Sequence, residues 1–66
     1  MKSIEVLLLS YNHADYIDRA IDSVEMQLSD QFDVFLTIID DGSNDETVAK
    51  IISRIGSSKI KINLIQ

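Results

Sequence analysis

The chain has 66 residues and contains no cysteine, no proline and no tryptophan, with only two glycines and one histidine. Without cysteine it can form neither a disulfide framework nor a thiolate metal site. The single histidine, His13, has no second histidine or cysteine with which to bind a metal, so we interpret it as a solvated loop residue. Two glycines cannot supply the Gly-rich fingerprint of a dinucleotide-binding domain after the first strand, which argues against that class of protein.

Basic residues are also scarce, with six Lys and Arg against eleven Asp and Glu and a formal net charge of -5. Nucleic-acid affinity comes largely from Lys and Arg that displace counterions, so we do not expect nucleic acid as a partner. A phosphorylated ligand would be repelled unless a divalent cation or basic residues outside this chain intervene.

No apolar run approaches the roughly 18 to 20 residues that span a bilayer. We therefore expect no transmembrane segment in this chain and a cytoplasmic location.

Apolar and charged residues occur in ordinary proportions, 45% hydrophobic and 26% charged. These are the proportions of a globular domain rather than of a disordered or fibrous chain. A chain of this length buries only roughly 60% of the surface that its unfolded form exposes. We expect residues 1–66 to form a single partial domain with a packed core and marginal stability.

Three segments have the patterns of β-strands. An almost continuous apolar run from Ile4 to Leu9 predicts a first strand that is buried on both faces. A second apolar and β-branched run, Phe32 to Ile39, follows the polar break Ser29–Gln31. Near the end of the chain, apolar residues alternate with Lys and Asn from Lys59 to Leu64, which predicts a third strand with one wetter face.

The two intervening segments have helical periodicity and an apolar stripe on one side. The stripe of the first helix consists of Ile17, Ala20, Ile21, Val24 and Leu28. Asn12 is its predicted N-cap, with Asp15 in a near capping-box position. The stripe of the second helix consists of Val48, Ile51, Ile52 and Ile55. Ser43 and Glu46 are its predicted capping box, and Gly56 lies just past its end.

The resulting order is βαβαβ, which predicts an α/β fold with a three-stranded parallel sheet, strand order 3-2-1, and two helices. In such sheets ligands bind beyond the carboxyl ends of the strands, where the loops lead into the helices. Residues 10–13 and 40–45 form these loops, so the candidate site lies between them.

Asp40 and Asp41 follow the second strand directly, and like charges placed this closely destabilise each other. One interpretation is that the pair serves a binding task. The other is structural: the two side chains point to opposite sides and stabilise the start of the following helix through its dipole. Gly42 supports a sharp turn in either case. A calcium loop of the EF-hand type is excluded because the glycine comes three residues too early.

Tyr11 and Asn12 lie at the mouth of the first strand, next to the acidic pair. An aromatic ring can stack on a nucleobase while a neighbouring carboxylate accepts a proton from the base edge, a combination that favours uracil-like edges. Tyr11 can equally be a partly buried packing residue. A phospho-acceptor receiver domain also uses an acidic pair at a strand end, but on its first strand, so the order of elements argues against it.

Several of these segments together resemble the N-terminal portion of family 2 glycosyltransferases of the GT-A fold. The matching runs are Leu9–Asn12, Tyr16–Ile17, Ala20–Val24 with Gln27, and Ile38–Thr47, which occur in the family's order and spacing over nearly the whole chain. The resemblance implies a Rossmann-like half of a GT-A fold that binds the nucleoside of a UDP-sugar. One departure is that Leu9 stands where many members have proline, which loosens the expected strand exit without removing a functional group.

The resemblance also implies a role for each matched position. Tyr11 would lie against the uracil ring, Asp41 would accept the imide N–H, and Asp40 would support the same pocket. Asn12 and Ser43 would hold the loops, and Ser10 would line the nucleoside pocket. The nucleoside-binding set predicted in this way is Ser10, Tyr11, Asn12, Asp40, Asp41 and Ser43.

The family's remaining machinery is expected outside this chain. Its Asp-x-Asp type motif, which holds the diphosphate through Mg²⁺ or Mn²⁺, and its catalytic base lie downstream of the matched region. We therefore predict no catalytic residue and no metal ligand within residues 1–66. The parent enzyme would transfer a sugar to an acceptor hydroxyl with inversion, in the cytoplasm or at the inner membrane face, while this piece alone would show little or no transfer.

A non-enzymatic alternative remains open. The chain could be a truncated domain that folds without turnover and self-associates. In the full fold the first strand would be central, so here it would leave an apolar edge with unpaired backbone groups. On this basis we expect homo-oligomers that form through the first strand.

Overall fold

In a computed structural model of the chain, residues 2–27 and 32–66 are described. Five elements alternate along it: β1 (Lys2–Ser10), α1 (Ile17–Glu25), β2 (Phe32–Asp40), α2 (Thr47–Ser57) and β3 (Lys61–Ile65). This arrangement confirms the predicted α/β fold with a parallel sheet of three strands and two helices. Leu28 of the first apolar stripe and the polar break Ser29–Gln31 lie outside the described residues.

The three strands run parallel in the order β1-β2-β3, so β2 has a neighbour on each side. Read from the β3 edge, the order is 3-2-1. The register sets Leu9 beside Ile39 and Ser10 beside Asp40. Because parallel strands end at the same edge of a sheet, the loops after β1 and β2 leave the fold side by side.

The core lies on one face of the sheet, between the strands and both helices. Successive right-handed crossovers in the same direction place their helices on the same face. The buried apolar side chains come from both helices and from β2, β3 and the turn before β3: Ile17, Ile21, Val34, Leu36, Ile38, Ile51, Ile60 and Ile62. Among the described residues, neither helix has the length and apolar character needed to cross a bilayer.

The prediction that β1 is buried on both faces is wrong. Leu7 is 63% exposed and Leu9 is 67% exposed, whereas Val6 and Leu8 on the helix side are partly buried against the core. The reason is that both helices cover the same face, and no described element covers the other. We call this other surface, which carries Leu7, Leu9 and Ile65, the open face.

The predicted capping of α1 by Asn12 and Asp15 is also wrong. The helix begins at Ile17, and no side chain caps it. It is instead preceded by a turn in which the backbone N–H groups of Tyr16 and Ile17 both donate to the carbonyl oxygen of His13, at 2.9 and 2.8 Å. Asn12 lies before this turn and bonds to the other loop, as described below.

The capping box predicted for α2 is replaced by a different acidic residue. The helix begins at Thr47, and neither Ser43 nor Glu46 caps it through a side chain. Asp45 accepts a hydrogen bond from the backbone N–H of Thr47 at 2.9 Å and another from its hydroxyl. An aspartate that satisfies a free N–H in the first turn acts as a helix cap, so the helix starts slightly later than the capping box implied.

A cluster of charges, which we call the helix clamp, joins α1 to α2. The Arg54 guanidinium on α2 contacts Asp18 at 3.2 Å, Asp22 at 2.6 Å and Glu25 at 2.8 Å, all on α1. The three carboxylates recur at helical spacing of three and four residues, so one side of α1 presents them together. One planar cation thus connects most of the length of α1 to the end of α2.

Candidate functional site

Hydrogen bonds join the loop after β1 to the loop after β2, and we call them the inter-loop network. Its members are Ser10 to Asp40 (2.9 Å), Asn12 to Ser43 (2.9 Å), Asn44 to Asn12 (2.7 Å) and Ala14 to Asp45 (3.2 Å). The backbone N–H of Asp41 also donates to the carbonyl oxygen of Ser10 at 2.9 Å. The two predicted loops therefore form a single connected surface at the carboxyl edge of the sheet.

Asp40 is the centre of this network. Its side chain is buried, with the residue only 4% exposed. It accepts hydrogen bonds from the Ser10 hydroxyl and the Ser43 N–H, each at 2.9 Å, and from the Ser43 hydroxyl. The bond from the Ser43 hydroxyl is the main cause that lowers the pKa of Asp40 below its ordinary value; burial opposes it, and the other two bonds add to it. Asp40 is thus an ionised structural residue.

The lowered pKa of Asp40 predicts a pH dependence of stability. A carboxyl group whose pKa is lower in the folded state stabilises the fold fully above its unfolded pKa of about 3.9. That contribution disappears as the pH falls through the folded pKa. Urea titrations from neutral pH down to acid pH should therefore show a loss of stability below about pH 4 that is smaller in Asp40→Asn. Parallel curves for the two proteins would contradict this origin.

Asn12 and Ser43 hold the two loops against each other. The Ser43 hydroxyl donates to Asp40 while its oxygen accepts the Asn12 N–H. Asn12 has a φ of 51°, in the left-handed region that asparagine tolerates better than most residues. Its side-chain oxygen accepts the Asn44 N–H. The predicted loop-holding role of these two residues therefore has a geometric basis, through bonds between the loops rather than helix capping.

Asp40 and Asp41 have separate environments. Asp40 is buried, while Asp41 is exposed and is followed by Gly42, whose φ of 77° belongs to the left-handed region that favours glycine. The structural interpretation of the acidic pair therefore applies to Asp40. Its carboxylate stabilises the inter-loop network, however, and not the start of the following helix. Asp41 remains available to a ligand.

A cavity of about 470 Å³ opens at this edge of the sheet. Four of the six predicted site residues line it, namely Ser10, Tyr11, Asp40 and Asp41, while Asn12 and Ser43 do not. Tyr11 is 51% exposed, so its ring is not a core packing residue. Tyr11 and Asp41, from two different loops, therefore border one shared space.

The apolar part of the cavity was not predicted from the sequence. Leu9, Ile39 and Ile65 line it, and the register sets Leu9 beside Ile39 and Ile39 beside Ile65. They form one row across the three strands on the open face. Their positions near the ends of the predicted strands could have indicated this row, because aligned parallel strands bring their last residues together.

His13 and Gln66 also line the cavity. His13 is exposed, as the sequence indicated, but its Nδ1 accepts the backbone N–H of Tyr11 at 3.3 Å. His13 therefore supports the loop that carries the tyrosine. Its proximity to Tyr11, two residues away, was the only sequence signal for this role.

A divalent cation at this site would need several converging oxygen or nitrogen ligands. Within residues 2–27 and 32–66, no three or more His, Asp and Glu side chains converge as a metal site requires. Both carboxylate oxygens of Asp40 already accept hydrogen bonds from Ser10 and Ser43. Neither oxygen of the Asp40 carboxylate is therefore without a hydrogen-bond donor.

The chain is similar to known proteins over most of its length. Protein CgeD from Bacillus subtilis (strain 168) is 44% identical over 50 residues, which make up 76% of this chain and 11% of that protein. The chain thus spans a small part of that relative's length. No solved structure is significantly similar to the chain. The profile of glycosyl transferase family 2 matches residues 5–65, from β1 to the end of β3 with both loops of the site, and the chain belongs to that family.

Proposed function

We propose that the cavity at the carboxyl edge of the sheet binds the nucleoside of a UDP-sugar, as the donor-binding part of a glycosyltransferase. The observation that carries this proposal is that Tyr11 and Asp41, from two different loops, line one cavity. Its volume of about 470 Å³ falls within the range of small-molecule sites. Family membership independently supports a glycosyltransferase-like function.

The two residues supply complementary contacts. The half-exposed ring of Tyr11 offers a face on which a base can stack, a contact worth roughly 1 to 3 kcal/mol. The exposed carboxylate of Asp41 can accept the imide N–H of uracil. Cytosine has a lone pair at the equivalent ring nitrogen, so the same carboxylate would repel it. The apolar row formed by Leu9, Ile39 and Ile65 would lie under the base or the ribose.

The supporting residues keep this geometry fixed. Asp40 and Ser10 border the cavity but bond to each other, and Ser43 and Asn12 stand behind them in the inter-loop network. Because their polar atoms already have partners, we assign them to positioning the loops. Tyr11 and Asp41 are then the residues that contact the base.

Transfer itself is assigned to residues outside this chain. The described residues hold no metal site, and the formal charge of -5 disfavours a diphosphate near the acidic loop. We propose that a longer protein supplies the Mg²⁺ or Mn²⁺ ligands and the base for an inverting transfer, in the cytoplasm or at the inner membrane face. Residues 1–66 alone would bind the nucleoside without turnover.

A second candidate function is a non-catalytic domain that folds and self-associates. The observation that favours it is the open face, where Leu7, Leu9 and Ile65 are 63%, 67% and 47% exposed. Exposed apolar patches of this kind mark interaction surfaces. The two candidates are separated by nucleoside binding, which only the first requires.

The test is calorimetric titration of uridine, cytidine and UDP, the last with and without Mn²⁺, into the wild type and three variants. Asp41→Ala and Tyr11→Ala should each weaken uridine binding about tenfold or more, equivalent to about 1.4 kcal/mol. Asp15→Ala is the matched control, because it removes the same charge from an exposed loop position that does not line the cavity. Uridine should also bind more tightly than cytidine.

Either of two results would contradict the proposed nucleoside binding. If the wild type binds no uridine, or if Asp41→Ala and Asp15→Ala bind it equally well, nucleoside recognition is ruled out and the second candidate remains. Circular dichroism of each variant separates a loss of binding from a loss of folding.

A further inference from the structure

Side chains at the start of α2 hold the turn between β1 and α1. Both backbone polar groups of Ala14 in this turn have a partner there. Its N–H donates to the Asp45 carboxylate at 3.2 Å, and its carbonyl oxygen accepts a hydrogen bond from the Lys50 ammonium group at 2.8 Å. The second bond is partly buried, and a charged donor makes a stronger hydrogen bond than a neutral one. Lys50 is therefore a strong contact of this turn.

Lys50 and Arg54 lie on one side of α2, because residues four positions apart on a helix are neighbours. A guanidinium N–H of Arg54 donates to the carbonyl oxygen of Asp18 at 3.2 Å, and both this bond and that from Lys50 to Ala14 join residues 36 positions apart. The two cations thus contact the neighbouring segment at matching spacing. Arg54 contacts α1 itself, whereas Lys50 contacts the turn that precedes it, nearer to the candidate site.

This turn also supports Tyr11. Ala14 follows His13 directly, and the His13 ring accepts the backbone N–H of Tyr11 at 3.3 Å. A displacement of Ala14 would therefore move His13 and with it the support of the tyrosine. Neither Ala14 nor Lys50 lines the cavity of about 470 Å³. An effect of Lys50 on a neutral ligand in that cavity must then pass through the turn.

We propose that Lys50 is a positioning residue for nucleoside recognition, an inference that rests on the nucleoside site proposed above. By holding Ala14 it keeps Tyr11 in the position from which the ring can stack on a base. Asp45 contributes to the same hold but also accepts the N–H of Thr47 at the start of α2, so its replacement would disturb the helix as well. Lys50→Met is the sharper probe, because methionine keeps the straight stem and has a similar helix propensity.

The first measurement needs no ligand. The chain has two tyrosines and no tryptophan, so Tyr16→Phe leaves Tyr11 as the fluorescent residue. Tyr16 is 62% exposed and does not line the cavity, which makes this background mild. In it, Lys50→Met should lower the fluorescence anisotropy of Tyr11 and increase its quenching by acrylamide, because loop motions on the nanosecond scale become larger.

The second measurement is the dissociation constant of uridine. Uridine is neutral, so the loss of a distant positive charge does not by itself change its affinity. If Lys50→Met leaves the turn in its binding conformation about a fifth of the time, the apparent dissociation constant rises about fivefold. Lys50→Arg should recover most of both signals, since its guanidinium can donate to the same carbonyl oxygen. Lys61→Met is the matched control, because it removes the same charge from an exposed position outside the cavity.

The outcomes separate this proposal from the proposed function. An unchanged Tyr11 anisotropy in Lys50→Met would overturn the positioning role, as would equal losses of uridine affinity in Lys50→Met and Lys61→Met. A lower melting temperature of Lys50→Met with unchanged anisotropy and affinity would show a purely structural role and also overturn it. If the anisotropy falls but the wild type binds no uridine, the hold of Lys50 on the tyrosine loop is confirmed and the nucleoside site is what fails.

Discussion

Asp40→Ala is expected to lower the free energy of unfolding by about 2 to 4 kcal/mol, because it leaves one buried and two partly buried donors without an acceptor. The donors are the hydroxyls of Ser10 and Ser43 and the Ser43 N–H. A domain of this size has a total stability of about 3 to 10 kcal/mol, at roughly 0.05 to 0.15 kcal/mol per residue. The variant should therefore lose a large fraction of the stability of the domain, as measured by urea denaturation followed by circular dichroism.

The neighbouring residue provides a matched control for this variant. Asp41→Ala removes the same charge from an exposed position and should change stability by no more than about 0.5 kcal/mol. Asp40→Asn should fall between the two, because it keeps one acceptor oxygen but loses the charge. Equal destabilisation by Asp40→Ala and Asp41→Ala would show that the buried network is not what stabilises the loops.

Arg54→Ala is expected to cost about 2 kcal/mol, the second largest effect. The guanidinium is mostly buried, and its loss leaves Asp18, Asp22 and Glu25 without their shared partner. Asp18 and Asp22 are 53% and 62% exposed, so solvent screens their pairs, and the less exposed Glu25 contributes most. The measurement is the denaturation midpoint at low and high salt, where the loss should be smaller at high salt.

Two further variants show whether geometry or charge matters in the helix clamp. Arg54→Lys keeps the charge but cannot bridge the carboxylates as a planar fork, so about half of the loss should remain. Arg19→Ala removes an exposed arginine of α1 whose side chain forms no ion pair with a described residue, and it should be nearly neutral. If Arg19→Ala were as destabilising as Arg54→Ala, net charge rather than the clamp would be responsible.

The order and type of the elements could be predicted because local periodicity determines them. Buried Ile17, Ile21 and Ile51 all lie on predicted apolar stripes. The burial of β1 could not be predicted in the same way. A run such as Leu7-Leu8-Leu9 indicates two apolar faces, but whether each face is covered depends on where the helices pack. Here both crossovers run in the same direction, and one apolar face stays exposed.

The sequence predicted where the candidate site lies more accurately than which residues form hydrogen bonds with each other there. Strand ends and loop composition correctly indicated that Tyr11 and Asp41 would lie near each other. The prediction that Asn12 and Ser43 cap helices was wrong because each bonds to the other loop, about 31 residues away, and Ser43 bonds also to Asp40. Local spacing carries no information on such partners. The same limit applied to the acidic pair, whose two environments depend on the fold of the turn.

The inter-loop network has a thermodynamic consequence. Its side-chain bonds join residues 30 to 32 positions apart, so the crevice cannot exist before β1 and β2 are aligned. Occupancy of the crevice and integrity of the whole domain are then a single coupled equilibrium. A nucleoside at a hundred times its dissociation constant would add about 2.7 kcal/mol to the folded state. For so small a domain, that makes the melting temperature itself a gauge of ligand concentration.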